Sequence, residues 1–296
     1  MSEADPPSSH DLAAFVRTVE AGTVQGAADS LHLTQSAVTK RLQALERRLG
    51  AQLLERGRLG VTPTPAGERV YAEAKIALVA LARVEESSRA KGGAVRAAAS
   101  HTIGEFLLPT WLSAFRLAAP GVRPQVAIVN SVSAVEALRE GAAEIAFVED
   151  DTEQQDAFES LLVGEDAVVV VVAATHRWAR RRGVRARELP TEPYAARESG
   201  SGTRAVADHA LAERGVALTP AVEAASTESL KRIVRAGGFT LLSELAVAGE
   251  LGAGELAVVP LADVTISRRL RALRGGRSSR GADRMWSWLR DHVALG

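Results

Sequence analysis

The stretch LTQSAVTKRLQALERRLG, Leu33–Gly50, decides how the first part of the chain is read. Thr34 has the short hydroxyl side chain that accepts from the free N–H groups of a helix start, and Gly50 suits the left-handed residue just past a helix end. Val38, Leu42, Leu45 and Leu49 recur at steps of 4, 3 and 4, which gathers them on one face at about 100° per residue. Ser36, Lys40, Gln43 and Arg47 then point the other way, flanked by Gln35 and Thr39. Lys40, Arg41, Arg47 and Arg48 all sit on this helix, in a chain whose formal net charge is +0. A polar, basic face on a well-anchored helix is offered to something outside the fold.

The neighbouring segments give that helix a context. DLAAFVRTVEAG places Leu12, Phe15, Val16 and Val19 on one face and stops at Gly22. Thr23 caps a second, short helix, VQGAADSL, carrying Ala27, Ala28 and Leu31 inward. Two short helices joined by a tight turn, the second with an exposed polar face, describe a helix-turn-helix. Gly26 inside the second helix costs about 1 kcal/mol relative to alanine, and a close helix–helix crossing would explain it. After Gly50, Leu53, Leu54 and Val61 read as strand residues around a tip at Gly57–Gly60, a β-wing carrying Arg56 and Arg58. From His32 to Gly60 there are six basic and two acidic residues, so the charge is concentrated here although the whole chain is neutral.

The bulk numbers set the frame. A length of 296 residues suggests two or three units. With 46% hydrophobic and 24% charged residues the chain is globular. Absence of cysteine excludes disulfides, thiolate metal sites and a cysteine nucleophile, and fits a reducing compartment. The acidic, polar start MSEADPPSSHD does not read as a signal peptide, and no apolar run approaches the ~18 residues of a membrane span. The expected location is cytoplasmic.

Thr64-Pro65 opens a long helix, with proline at the favoured first position. Val70, Ala74, Ala77, Leu81 and Val84 recur at a coiled-coil period, a seam that asks for a partner helix and hence a homodimer; packing on the chain's own core is the competing explanation. RAKGG reads as a linker. From Gly93 onward strands and helices alternate: strands AVRAAAS, VRPQVAIVN and EIAFVE, helices TIGEFLLPTWLSAFRLA and SAVEALREG. This βαβαβ run predicts a largely parallel sheet. The long strand DAVVVVVAAT and the late return LAVVPLADVTISRRLRALR suggest two lobes joined by two crossings, near Val170 and Thr265. GADRMWSWLRDHVA reads as a closing helix.

Residues 22–67, GTVQGAADSLHLTQSAVTKRLQALERRLGAQLLERGRLGVTPTPAG, resemble the DNA-binding signature of the LysR-type transcriptional regulators nearly end to end. The likeness lies in the LE-x-x-LG turn, the ER pair and the closing T-x-AG. TIGEFLLP, RESGSGTR and STESLKRIVRAGGFTLLSEL are similar to stretches of that family's effector domain. Leu54 stands where the family usually has phenylalanine, a change expected to alter wing packing and not the fold. The resemblance implies an α/β protein with an N-terminal winged helix-turn-helix, a long linker helix and a two-lobed α/β effector domain like that of periplasmic binding proteins. The corresponding division is 1–65, 66–92 and 93–296, with lobe I at about 93–169 and 266–296 and lobe II at about 170–265. It also implies dimers through the linker helix, tetramers, interrupted palindromic promoter sites, and control by a small ligand.

A helix fits the major groove of duplex DNA, and its N-terminal residues meet base edges. Gln35, Ser36, Thr39, Lys40 and Gln43 are therefore the candidate base readers. Arg47, Arg56 and Arg58 are candidates for phosphate or the minor groove, and Thr23 and Thr62 for phosphate oxygens. Any one basic residue alone is an ordinary solvated charge; the spacing, wing and heptad seam together argue otherwise. In RESGSGTR, Gly200 and Gly202 let backbone N–H groups converge before a helix, with hydroxyls from Ser199, Ser201 and Thr203: an anion site, or simply a capped turn. Ser100, His101 and Thr102, then Asn130 and Ser131, then Glu149, end successive strands, and Ser226 and Thr227 open a helix. Ligands of open α/β sheets sit at such strand ends, so these residues are expected to line one cleft holding a small anion, a carboxylate or an oxyanion such as a sulfur oxyanion.

The remaining signals are weak. GSGTRA also fits a dinucleotide fingerprint, but the preceding TEPYAARES does not read as a buried hydrophobic strand. The six histidines show no metal spacing, and no cofactor is expected. HRWARRRGVRARE reads as a solvated loop, with a second nucleic-acid patch as the alternative. The arginines from Arg268 to Arg290 read as mostly surface. No nucleophile–base–acid set marks an enzyme. The rival readings are a transport solute-binding protein, which would have no use for residues 22–67, and a small-molecule-converting two-lobed protein using the 199–203 loop, which turnover assays would separate.

Overall fold

The computed structural model describes residues 6–57, 60–89, 93–149, 157–276 and 278–294. Two compact units divide the chain at about residue 90. In the first, helices α1 (Ser9–Ala21), α2 (Val24–Leu31) and α3 (Gln35–Leu49) precede a hairpin of β1 (Leu54–Gly57) and β2 (Gly60–Pro63), then α4 (Pro65–Arg89). Hydroxyls start each short helix: Ser8, Thr23 and Thr34 accept from the N–H groups of Asp11, Gly26 and Ala37. Gly22 and Gly50, at φ +65° and +62°, end α1 and α3 in the left-handed region. Gly26 is explained by close approach: a Cβ there would lie 2.9 Å from Ala21 Cβ, at the end of α1.

Leu12, Phe15 and Val16 of α1, Ala27 and Ala28 of α2, and Val38, Leu42 and Leu45 of α3 form one core, joined by Leu53 and Ala74. Val70, Tyr71, Ala77 and Leu78 pack on the same core. The first half of the expected coiled-coil seam is thus spent inside the unit. Its second half is different, with Leu81 47% and Val84 66% exposed.

The second unit carries β3 (Ala94–Ser100), α5 (Leu108–Ala118), β4 (Arg123–Val129), α6 (Ser131–Arg139), β5 (Ile145–Glu149), β6 (Glu159–Ala173), β7 (Tyr194–Arg197), α7 (Gly202–Ala212), β8 (Val222–Ala224), α8 (Thr227–Arg235), β9 (Phe239–Ser243), α9 (Ala248–Ala253), β10 (Leu256–Val259), β11 (Ser267–Arg274) and α10 (Arg280–His292). Strand order is β4-β3-β5-β11-β6-β9-β7-β8, with β10 also on β6. β3 runs parallel to β4 and β5, and β7 parallel to β8 and β9. The expected largely parallel sheet is corrected to a mixed one, because β11 is antiparallel to β5 and β6, and β6 is antiparallel to β9 and β10. The physical reason is the passage between lobes. β6 leaves the first lobe, pairing with β11 through Ala167 and with β9 from Val168; β11 brings the chain back, so the two must run oppositely.

Each lobe buries apolar side chains on both faces of its sheet. Phe115, Phe147, Trp286 and Leu289 fill one face of the first lobe, and Ala134, Val135 and Leu138 the other. Trp178, Tyr194, Leu211 and Phe239 fill one face of the second, and Leu230, Val234 and Leu242 the other. The helix expected from Thr102 begins instead as a π turn, Ile103–Leu107, with the Leu108 N–H bonded to the Ile103 carbonyl. Pro109 has no N–H to give, and its ring would clash with the carbonyl four residues back.

Candidate nucleic-acid and effector sites

The outward face of α3 is built by what its other side chains are doing. Val38, Leu42 and Leu45 are buried. Glu46, the single acid of α3, turns inward and accepts the N–H groups of Leu53 (2.8 Å) and Leu54 (3.3 Å), pinning the root of the wing. Arg41 donates to the His10 carbonyl at 3.3 Å and so braces α1. Gln35, Ser36, Lys40, Gln43 and Arg47 are left exposed along one side. Half-buried Thr39 donates to the Gln35 carbonyl (2.9 Å), and Arg47 Nε to the Gln43 carbonyl (3.2 Å).

The wing is stitched to the turn between α1 and α2. Val61 N–H donates to the Gly22 carbonyl at 2.8 Å, and a Cβ at Gly60 would sit 2.4 Å from that same oxygen. This brings exposed Thr62 beside the turn that carries exposed Thr23. Thr23 Oγ1 already accepts the Gly26 N–H, which leaves its proton to donate. Arg58 and the side chain of Arg56 lie outside the described residues. The assembled surface is cationic, rich in hydroxyl and amide groups, and carried on a rigid helix, which suits base edges and phosphates.

In the second unit, a buried ionic cluster joins the two lobes. Arg268, read from sequence as surface, is 5% exposed and stands at its centre. Its guanidinium donates to Asp166 through Nε (2.8 Å) and Nη2 (2.6 Å), to Thr203 Oγ1 (2.8 Å) and to Thr102 Oγ1 (2.9 Å), and lies 3.3 Å from Glu149 Oε1. Ser243 donates to the other Asp166 oxygen at 2.8 Å. Ser131 donates to Glu149. Thr102, Ser131 and Glu149 belong to the first lobe, and Thr203 and Ser243 to the second. Asp166 and Arg268 stand on the two strands that pass between.

The glycine turn before α7 closes onto this cluster. A Cβ at Gly202 would lie 2.5 Å from Glu149 Oε2 and 2.8 Å from Ser131 Oγ, and one at Gly200 would lie 3.0 Å from Asn130 Nδ2. Only glycine allows the second lobe this close. The Ser201 side chain does not cap α7, and the close approach of Gly202 brings the Glu149 carboxylate to the positive end of that helix. Ser201 is buried there, and Ser100 at the end of β3 is buried with no hydrogen-bond partner for its hydroxyl among the described residues.

Thr102, Asn130, Ser131, Glu149, Gly200, Gly202 and Thr203 are therefore brought together where the two lobes meet. The other four candidates make local contacts or start a helix. His101 Nδ1 pairs with Glu105 at 2.8 Å, the Ser199 N–H reaches Glu223 at 3.3 Å, Ser226 caps α8, and Thr227 is buried in that helix's first turn. Sequence reading missed Arg268, Asp166 and Ser243. The signal was present in the strand period: Arg268 is in phase with buried Leu270 and Ala272, and Asp166 with Val168 and Val170.

Comparison with known proteins agrees with both halves. The bacterial regulatory helix-turn-helix protein, lysR family, matches residues 9–68, and the LysR substrate binding domain matches residues 88–294. An HTH-type transcriptional regulator of Mycobacterium tuberculosis is 36% identical over 280 residues, 89% of each chain. YeiE of Escherichia coli, also an HTH-type transcriptional regulator, is 31% identical over 263 residues, 88% of each chain. The crystal structure of CbnR, a LysR family transcriptional regulator, superposes with a TM-score of 0.70 at 19% identity, over 97% of this chain and 100% of that one. The helix-turn-helix with its polar outward face and the two-lobed domain closed over an interior ionic cluster are the two halves of one design, and the chain belongs to the LysR-type transcriptional regulators, DNA-binding proteins with an effector-binding domain.

Proposed function

We propose that α3 reads an interrupted palindromic promoter site in the major groove, with Gln35, Ser36, Thr39, Lys40 and Gln43 at base edges. Arg47, Thr23, Thr62 and the wing arginines Arg56 and Arg58 hold phosphates. The division of labour is 1–65 for DNA, 66–92 for dimerisation and 93–296 for the effector. The exposed apolar residues Leu81 and Val84 support pairing of α4 with a second copy, which sets the half-site spacing; pairs of dimers would form tetramers. The work is done in the cytoplasm, by binding and not by turnover. DarR of Vibrio fischeri, whose fold is similar, is solved in complex with DNA.

The effector is a small anion bound between the lobes. The observation that carries this reading is the Glu149 carboxylate held against the start of α7. That end of the cleft is complementary to a carboxylate, and the protein's own fills it. An effector oxyanion takes the same place, displaces Glu149, and meets the hydroxyls of Ser100, Ser201 and Thr203. Because Arg268 bonds both lobes, such a displacement shifts the balance between lobe arrangements. The regulatory domain of CcmR from Synechocystis, similar in fold, is in complex with 2-PG, which supports small-molecule control. Calorimetric titration of the full chain with a panel of small carboxylates and sulfur oxyanions tests the reading. Saturable binding of an anion, tightened in Glu149→Gln, is expected; binding of neutral or cationic compounds alone overturns it.

A further inference from the structure

Residues 176–192 hold a second concentration of positive charge, on the second lobe and outside the helix-turn-helix. Arg177, Arg180, Arg181, Arg182, Arg185 and Arg187 are all exposed. Buried Trp178, Val184, Ala186 and Leu189 anchor the segment beneath them, and the Val184 N–H donates to the Pro260 carbonyl at 2.9 Å. Two ion pairs clamp its limbs together: Arg177 with Glu192, and Arg181 in a two-pronged bond with Glu188 at 2.8 and 3.1 Å. Arg177 also lies over the Trp178 ring.

The acids here are committed to the frame. Glu188 accepts both Arg181 and the Arg185 N–H, and its carboxyl is held down to about 2 by those bonds. Asp263 accepts the Ala186 N–H at 2.9 Å. Arg180, Arg182, Arg185 and Arg187 form no ion pair among the described residues. They remain as four guanidinium groups on a braced loop, in a chain that is neutral overall. Such groups match phosphate oxygens in shape and charge, and a braced loop loses little freedom on binding.

The geometry points to a second DNA-binding surface: this arginine cluster grips the phosphate backbone of duplex DNA, independently of base sequence. Duplex DNA is the polyanion this protein is built to meet, so the partner needs no separate encounter. The grip adds affinity and salt dependence without adding specificity.

The test uses the full chain and a random-sequence DNA duplex, with affinity followed over a range of salt. The variant carries Arg180→Gln, Arg182→Gln, Arg185→Gln and Arg187→Gln, and a lighter one carries only Arg182→Gln and Arg185→Gln in case the first fails to fold. The control replaces four exposed arginines elsewhere on the same unit, Arg116, Arg214, Arg232 and Arg290, by glutamine. Each phosphate that is no longer neutralised reduces the slope of log K against log salt by about 0.9. The cluster variant is expected to flatten that slope by about two to four, with a proportionate loss for the lighter variant and little change for the control. An unchanged slope, or an equal change in the control, overturns the proposal. So does a cluster variant that loses binding to polyglutamate but keeps the full DNA slope, which would assign the surface to an acidic protein.

Discussion

Glu46 and Arg41 shape the outward face of α3 without lying on it. By turning to the wing root, Glu46 leaves the outward face free of acid, and Arg41 ties α3 to the α1 backbone. Lys40, exposed at its middle, is predicted to discriminate, whereas Arg47 is predicted to attract. In gel shifts, Lys40→Ala should bring operator affinity toward that of scrambled DNA, a loss of about 1–3 kcal/mol of discrimination. Arg47→Ala should weaken both duplexes alike; unchanged operator affinity in Lys40→Ala contradicts the assignment. Gly202 acts at the same scale in the other unit. Gly202→Ala puts a methyl 2.5 Å from Glu149 Oε2 and should weaken effector binding at least about tenfold, ~1.4 kcal/mol, by calorimetry. Most of these residues were legible as types at the right spacing. Arg268 was not: an arginine in RRLRALR reads as solvated until strand pairing shows which face it shares with Leu270.

At the scale of elements, α4 divides between two roles. Its first half completes the core of the helix-turn-helix through Ala74, and its second half exposes Leu81 and Val84. Leu81→Asp should therefore leave the fold intact and convert a dimer to monomer in sedimentation, with loss of binding to paired half-sites. A variant that stays dimeric removes α4 from the interface. The helix start at Thr34 is local chemistry: Thr34→Ala should cost about 1 kcal/mol of the first unit's stability in thermal unfolding. Most helices and strands followed their sequence period, but TEPYAARES, not read as a buried strand, holds β7, which is buried at all four of its residues. The π turn at Ile103–Leu107 departed because one proline cancelled a bond the period assumes.

For the whole molecule, the two units have separate cores and should unfold separately. Arg268→Ala strands two buried carboxylates, Glu149 and Asp166, and should destabilise the second unit by about 3–5 kcal/mol. Scanning calorimetry of that variant should lower one transition and leave the other in place. Thr34→Ala should do the reverse. A single transition that moves as one in both variants would show that the units share their stability.

Sequence alone determined what is local or periodic here: the caps, the amphipathic faces, the wing, the alternation of strand and helix, and the basic outward face of α3. These follow from side-chain spacing and from hydrogen bonds that reach only a few residues. Tertiary structure alone decided which strands run against their neighbours and how the heptad seam is shared. It also decided that Asp166, Glu149 and Arg268 meet in one buried cluster. Arg268 lies 102 residues from Asp166, and a charge so placed is stable only because folding brings its counter-charges around it and excludes water.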